Sequence, residues 1–349
     1  MSLGIDIGKF SVKIVELEKE QENIVIKNIG SKSLFDNLDS FNHDKITKSQ
    51  IIACIQDLCN DLKIKPKKIK QITSSLSGKS IDVRQVATLD MPDNELVVSL
   101  ELEAKKHVPL DGTDAVIDYH HLGSHQDKLD QINVILATTT KNKIKEHAEI
   151  LKGSGFKPGI FDTDPIAMTN IHQYSNETLE QGSDVLINVG NSSTTLVVCG
   201  ENSGFFTREI EIAGDHITKE VMRKFNTTYS EAEERKINQG TQVFSIDSES
   251  SGDNSGITIE DRTIFNDFVE EIRKTLRFYM KNNNNSFFNT FYLLGGSAKL
   301  KGLEQLIISN LNVKVEILDP LKNIKNDISI DNPQQFSIAL GLALRGMEK

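Results

Sequence analysis

The chain has 349 residues, 50 acidic and 40 basic, a formal net charge of −10 and 38% hydrophobic side chains. That length holds two or three domains with proper cores, and the composition is that of a globular protein, which excludes collagenous, fibrous and wholly disordered readings. The charge argues against nucleic-acid binding, which depends on neutralising phosphates with Lys and Arg.

Cys54, Cys59 and Cys199 lie in apolar stretches without metal-ligand spacing and read as core residues in a reducing compartment. The chain enters a strand at once, with no basic n-region and apolar h-region, and no apolar run approaches the ~20 residues that span a bilayer. A cytoplasmic protein is expected, or one held at a membrane by something else.

Leu3 to Leu17 reads L-G-I-D-I-G-K-F-S-V-K-I-V-E-L. Apolar residues alternate into Asp6 and Gly8, a short polar turn follows, and Val12, Ile14 and Val15 resume the pattern, which predicts strand, tight turn and strand. Gly8 permits close approach of the backbone to a ligand, and the successive N–H groups of Lys9, Phe10 and Ser11 can converge on an anion. Asp6 then stands where a hydrated divalent cation would, and Lys13 carries a positive charge toward the same phosphates.

Next, 23–29 continues the β pattern, Ile51, Ile52, Ile55, Leu58 and Leu62 recur at helical spacing, and 69–76 reads as a strand. Lys63, Lys65, Lys67, Lys68 and Lys70 form a basic run that reads as a solvated loop, with contact to anionic lipid headgroups as the alternative. From 80 to 157 the pattern predicts strand 83–89, helix 93–107 with Asp93 as N-cap, strand 116–121, strand 132–139 and helix 141–152: an inserted βαββα unit. His120, His121 and His125 are close in sequence, but strand alternation puts the first two on opposite faces, against a metal site. Asp164 precedes Pro165 at a strand-to-helix junction, so it is either an N-cap or a carboxylate aimed at a site above the sheet.

The opening pattern returns as I-N-V-G-N-S-S-T-T-L-V-V from Ile187 to Val198. Aligning Gly190 on Gly8 places Asn188 on Asp6, Thr194 on Val12 and Thr195 on Lys13 without a gap, with Asn191, Ser192 and Ser193 in the turn. Two such hairpins predict two similar lobes gripping one phosphate chain. Gly214 and Asp215 follow at the N-terminus of an amphipathic helix, where N–H groups and the dipole favour anions. Ser230 to Glu233 has capping-box spacing and opens a short helix that carries Lys236 and stops at Gly240. Residues 245–256 are rich in Ser, Asp, Asn and Gly and read as a mobile insertion. A long helix marked by Ile264, Phe268, Ile272, Leu276 and Tyr279 precedes a strand that enters Gly295-Gly296-Ser297, a turn on which a flat ligand can lie close to the backbone. The last helix, 336–345, is expected to pack on the first lobe. The first lobe then spans 1–79, 158–180 and 333–349, the insertion 80–157, and the second lobe 181–332, with 220–285 as a smaller subdomain.

Together these residues resemble the actin-like ATPase superfamily, an α/β fold of two lobes with RNase H-like topology. Asp6-x-Gly8 looks like its first phosphate hairpin, Asn188-x-Gly190-x-x-x-Thr194 its second, and Leu294-Gly295-Gly296-Ser297 its adenosine motif, with Lys299 just beyond. The resemblance implies that ATP binds with Mg²⁺ held through water at Asp6, that Lys13 contacts phosphate, that Glu233 and Lys236 line the adenine pocket, and that Asp164 positions an attacking water. Within the superfamily the chain is similar to the PilM family of type IV pilus assembly proteins, in A-G-D-H-I-T from Ala213, S-E-A-E-E-R-K from Ser230, E-I-R-K-T-L-R-F-Y from Glu271, L-G-G-S-A-K-L-K-G-L from Leu294 and the final I-A-L-G-L-A-L-R-G.

That similarity implies an adaptor at the cytoplasmic face of the inner membrane. It would dock the N-terminal tail of the inner-membrane protein PilN in a groove beside the insertion and meet other pilus inner-membrane and motor components. The division protein FtsA shares the insertion but ends in an amphipathic membrane helix, which this sequence does not show. A small-molecule kinase with Asp164 as base, or a filament-forming protein, would be the other readings of the same fold. One departure bears on turnover: Asn188 stands where hydrolysing members have aspartate, and it supplies no charge to the metal shell or the water, so at most slow ATPase activity is expected.

Overall fold

A computed structural model of the chain describes residues 1–78, 81–107, 114–125, 128–177, 179–201, 203–244, 263–283 and 287–347. β1 (Ser2–Ile7) and β2 (Ser11–Glu20) pair antiparallel with Asp6 opposite Lys13, and β3 (Asn23–Ser33) extends the meander. Thr47 opens α1 (Lys48–Asp61) with a capping box: its hydroxyl accepts from the Gln50 N–H and the Gln50 side chain accepts from the Thr47 N–H. β4 (Ile72–Leu76) returns parallel to β1. Leu3, Ile5, Val12 and Ile14 of the sheet bury against Cys54, Ile55 and Leu58 of α1.

β5 (Asp82–Leu89), α2 (Asp93–Ala104), β6 (Ala115–Ser124) and β7 (Gln131–Thr140) build a second, three-stranded sheet in the order β5-β7-β6. Leu96, Leu100 and Ala104 pack on Ile132, Val134 and Leu136, a core separate from that of the first lobe. Asp93 is the first helical residue and not the cap; Pro92, with φ −56° and ψ 145°, holds the cap position. α3 (Lys141–Gly153) follows β7 directly, yet its Leu151 is buried with Ile55 and Leu58 in the first-lobe core. A Cβ on Gly153 would lie 2.6 Å from Cδ1 of Ile52 on α1. The unit with its own core is therefore βαββ, and α3, expected within the insertion, packs as part of the first lobe. β8 (Ile160–Thr163) completes the order β3-β2-β1-β4-β8, and α4 (Asp164–Ser175) leaves the lobe.

The second lobe repeats this plan. β9 (Ser183–Val189), β10 (Thr194–Cys199) and β11 (Phe206–Ile210) form an antiparallel meander, followed by α5 (Gly214–Phe225), α6 (Tyr229–Gln239) and α7 (Ile264–Asn282). β12 (Phe288–Leu294), α8 (Leu303–Leu311) and β13 (Val315–Ile317) close a sheet of order β11-β10-β9-β12-β13, with β12 parallel to both β9 and β13. The capping box of α6 is Thr228 with Glu231, two residues earlier than its predicted pair. The segment 245–256, expected to be mobile, lies outside the described residues.

α9 (Ser337–Arg345) is buried at every position from Ser337 to Leu344, which is why its sequence is apolar all round. It packs on β1, β2 and β4 and crosses α4, which in turn reaches β9 and β10. Val15 and Leu17 of the first sheet, Leu186 and Val197 of the second, and the α4–α9 pair consequently share one core.

Candidate functional site

The two hairpins fold alike. Gly8 N–H donates to Ser11 O at 3.1 Å and Gly190 N–H to Ser193 O at 3.2 Å. With the Gly295–Ser297 turn they face a cleft of about 390 Å³ between the lobes, within the size range of small-molecule sites. Gly295 has φ +92°, and a Cβ there would sit 2.4 Å from Asn188 Oδ1 and 2.7 Å from Val189 O. Only glycine lets this turn approach the second hairpin so closely. Ser297 N–H donates to Val189 O at 3.1 Å, locking the two turns together.

Asp6, Gly8, Lys9, Phe10, Ser11 and Lys13 line the cleft from the first lobe, and Asn188, Gly190, Asn191, Ser192, Ser193 and Thr195 from the second hairpin. Gly214, Glu233, Lys236, Gly295, Gly296, Ser297 and Asp164 complete the predicted set that reaches it. Lys13 Nζ lies 3.1 Å from Asp6 Oδ2, both side chains being largely buried. Lys236 is buried; it lies 2.7 Å from Glu233 Oε2 and donates to Gly214 O at 3.2 Å. Because the capping box uses Glu231, Glu233 is free to accept from Thr218 Oγ1 at 2.5 Å and from Lys236.

Three predicted residues stand elsewhere. Thr194 is buried and donates to Ile212 O at 2.7 Å, tying β10 to the turn before α5. Asp215 is fully buried, accepting from Tyr229 Oη at 3.1 Å and pairing with Lys219 at 2.6 Å. Lys299 is exposed outside the lining. At the N-terminus of α5 the Gly214 and Asp215 N–H groups donate to Gly190 O at 3.1 Å and Asn191 O at 2.8 Å, bracing the second hairpin.

The cleft also takes residues that no motif announces. Ser77, Ile81 and Val83 approach from the entry to the inserted unit, Glu209 from β11, and Asn332, Gln335 and Ile338 from the chain before and within α9. Asn332 Nδ2 donates to Gly296 O at 3.0 Å, a contact across thirty-six positions of sequence. The lobes are also bridged where Ser230 N–H donates to Asp39 Oδ1 at 2.8 Å, and where the Phe41 ring packs, tilted, against Phe10 and Tyr229, at 5.7 and 5.1 Å.

Asp164 is not an N-cap. Thr163 holds that position, and Asp164 is the first residue of α4, its carboxyl in the cleft lining and its Oδ1 buried without a hydrogen-bond partner among the described residues. Burial first, and then the negative charge of Asp6, push its pKa from 3.8 up to about 7, against a hydrogen bond with Ser75 and the charge of Lys13. An acid whose folded pKa is raised contributes most below its unfolded pKa, and that stability is lost as pH climbs toward 7. Asp164→Asn is therefore expected to raise stability by about 1–3 kcal/mol at pH 8 and to change it little at pH 4. Urea unfolding at both pH values measures this; equal effects at the two would refute it.

Among the described residues no group of three or more His, Cys, Asp or Glu could hold a metal ion by protein ligands alone. The family described as type IV pilus assembly protein PilM matches residues 4–347. The chain belongs to the PilM family. A solved structure described as a PilM-PilN type IV pilus biogenesis complex is 23% identical, with 100% of this chain and 99% of that chain covered and a TM-score of 0.82. The ethanolamine utilization protein EutJ from Carboxydothermus hydrogenoformans is similar at 11% identity, TM-score 0.53, covering 98% and 89% of the two chains. MreB5 of Spiroplasma citri, solved bound to ADP, is similar at 10% identity, TM-score 0.51, covering 97% and 94%. At these identities the structural likenesses speak to the fold, which is actin-like, and the family membership rests on the PilM match.

Proposed function

We propose that this PilM family member is a nucleotide-binding adaptor that docks the N-terminal tail of PilN at the cytoplasmic face of the inner membrane. The observation that carries this reading is the βαββ unit: it has its own core, supplies none of the glycine turns and, among the described residues, borders the cleft only with Val83, so the cleft accounts for little of it. A groove between such a unit and the first lobe is the kind of place where an extended segment binds. The whole-chain likeness to a PilM-PilN complex supports PilN as that segment's source. No helix among the described residues is long and apolar enough to cross a membrane, so attachment would come through the partner.

The residues present fit ATP with Mg²⁺. A Cβ on Gly8 would stand 3.0 Å from Ser11 O and one on Gly190 2.9 Å from Ser193 O, so both turns keep the close approach a phosphate needs. Asp6 would hold the cation through water, and Lys13 with the turn N–H groups would hold the phosphates. When bound, the cation neutralises phosphate oxygens. Asp164 would orient a water, but Asn188 brings no second charge, so turnover would be slow and the nucleotide chiefly a ligand that holds the lobes closed.

Deleting 82–139, with a short linker in its place, tests the adaptor reading. The truncated protein should keep ATP binding within a few-fold and lose at least tenfold in affinity for a synthetic PilN tail peptide, because such segments rest on a few apolar anchors. Undiminished peptide binding by a folded deletion would put the partner site elsewhere. Calorimetry showing that the intact chain binds no ATP would remove the nucleotide half.

A further inference from the structure

Glu209 lines the cleft from a strand that carries no glycine turn. Register explains how it arrives there. In the first hairpin Asp6 opposes Lys13; in the second Asn188 opposes Thr195, and Thr195 in turn opposes Glu209 on β11. Directly opposed residues place their side chains on one face of a sheet. Asn188, Thr195 and Glu209 thus form a row across β9, β10 and β11, and all three border the cleft. The matching row of the first sheet is Asp6, Lys13 and Ser31, and Ser31 stays outside the lining. Where the first lobe presents an anion and a cation, the second presents two neutral groups and then a carboxylate.

The cations of the cleft lining are Lys9, which is exposed on the first turn, Lys13 and Lys236. Lys13 pairs with Asp6 and Lys236 with Glu233, and the neighbouring Arg208 lies 3.9 Å from Glu271, away from the cleft. Asp164, also in the lining, has its Oδ1 buried with no hydrogen-bond partner among the described residues, and the charge of Glu209 is one of those that disfavour its ionisation. Carboxylates bordering a cleft that accepts a polyphosphate repel it unless a divalent cation lies between them.

We propose that Glu209 is a cation-positioning carboxylate, which holds the water shell of the nucleotide-bound divalent cation opposite Asp6 and returns from the next strand but one the charge that Asn188 does not supply. This rests on the nucleotide reading above. The chemistry is one of outer-shell hydrogen bonding, so the residue tunes cation affinity and leaves the phosphate contacts of the hairpins in place.

The test is Mn²⁺ binding to the protein–ADP complex, read from loss of the free Mn²⁺ electron paramagnetic resonance signal, with ADP affinity in excess chelator measured beside it. Glu209→Gln is expected to keep the chelator-condition ADP affinity or raise it slightly, as one repelling carboxylate is gone, and to lose about tenfold in Mn²⁺ affinity, the lower end for a displaced outer-shell partner. Glu211→Gln removes the same charge two positions on, outside the lining, and should match the wild type. Circular dichroism is expected to show both variants folded, because Glu209 on the edge strand and Glu211 just beyond it are exposed. Equal Mn²⁺ affinity for Glu209→Gln and wild type, with ADP bound, would make Glu209 a solvated edge residue and overturn the proposal while leaving the nucleotide reading intact. A wild type that binds no ADP would overturn both.

Discussion

Gly341→Val is expected to destabilise the protein by about 3 kcal/mol or more, the upper part of the range for overpacked positions. A Cβ at Gly341 would lie 1.9 Å from Ala167 O, and one at Gly4 would lie 2.0 Å from Ala339 O, so α9 touches both α4 and β1 backbone to backbone. Neither obstacle is a side chain that can swing aside; the helices would have to separate, and with them the core shared by the two lobes. Denaturant unfolding of Gly341→Val beside Gly341→Ala measures the effect. Wild-type midpoints for both would show that the crossing is looser than these contacts require.

Lys13→Ala is expected to weaken ATP binding by roughly ten- to hundredfold, from the ~1.5–3 kcal/mol typical of hydrogen bonds to charged groups. Lys13 lies 3.1 Å from Asp6 and largely out of solvent, so its charge reaches the cleft little screened. Its loss also leaves the Asp6 carboxylate uncompensated beside the phosphates. Isothermal calorimetry with and without Mg²⁺ separates the two effects, since the cation can replace part of the missing charge. An affinity within twofold of wild type under both conditions would show that Lys13 does not contact phosphate.

The glycine hairpins, their repeat and the seven-residue step from Asp6 to Lys13 were legible in the sequence because tight turns set strand register locally. With Gly8 turning the chain, Asp6 and Lys13 must face each other, and the structure pairs them. Amphipathic periodicity likewise placed α1 and α7, and capping-box spacing announced the short helix that carries Lys236, although the box itself is two residues earlier. Asp164 was left between two roles, since a cap and a cleft carboxylate share one sequence signature; only the packing of α4 against both sheets set its carboxyl in the cleft. Asp215 shows the reverse: a helix N-terminus reads as an anion site, but its N–H groups were taken by hairpin carbonyls from twenty-four residues upstream.

α3 looked continuous with the insertion because its sequence neighbour is β7, and nothing local says that Leu151 meets Ile55 across the first-lobe core. Glu209 gave no signal because its value depends on which residue of β10 it opposes, a register that an open connection between the two strands does not fix. Local pattern determined which elements form and where the backbone must turn tightly. Which polar groups share one cleft was decided by tertiary structure alone, because strand register and helix crossings join residues that interact only once the chain has closed.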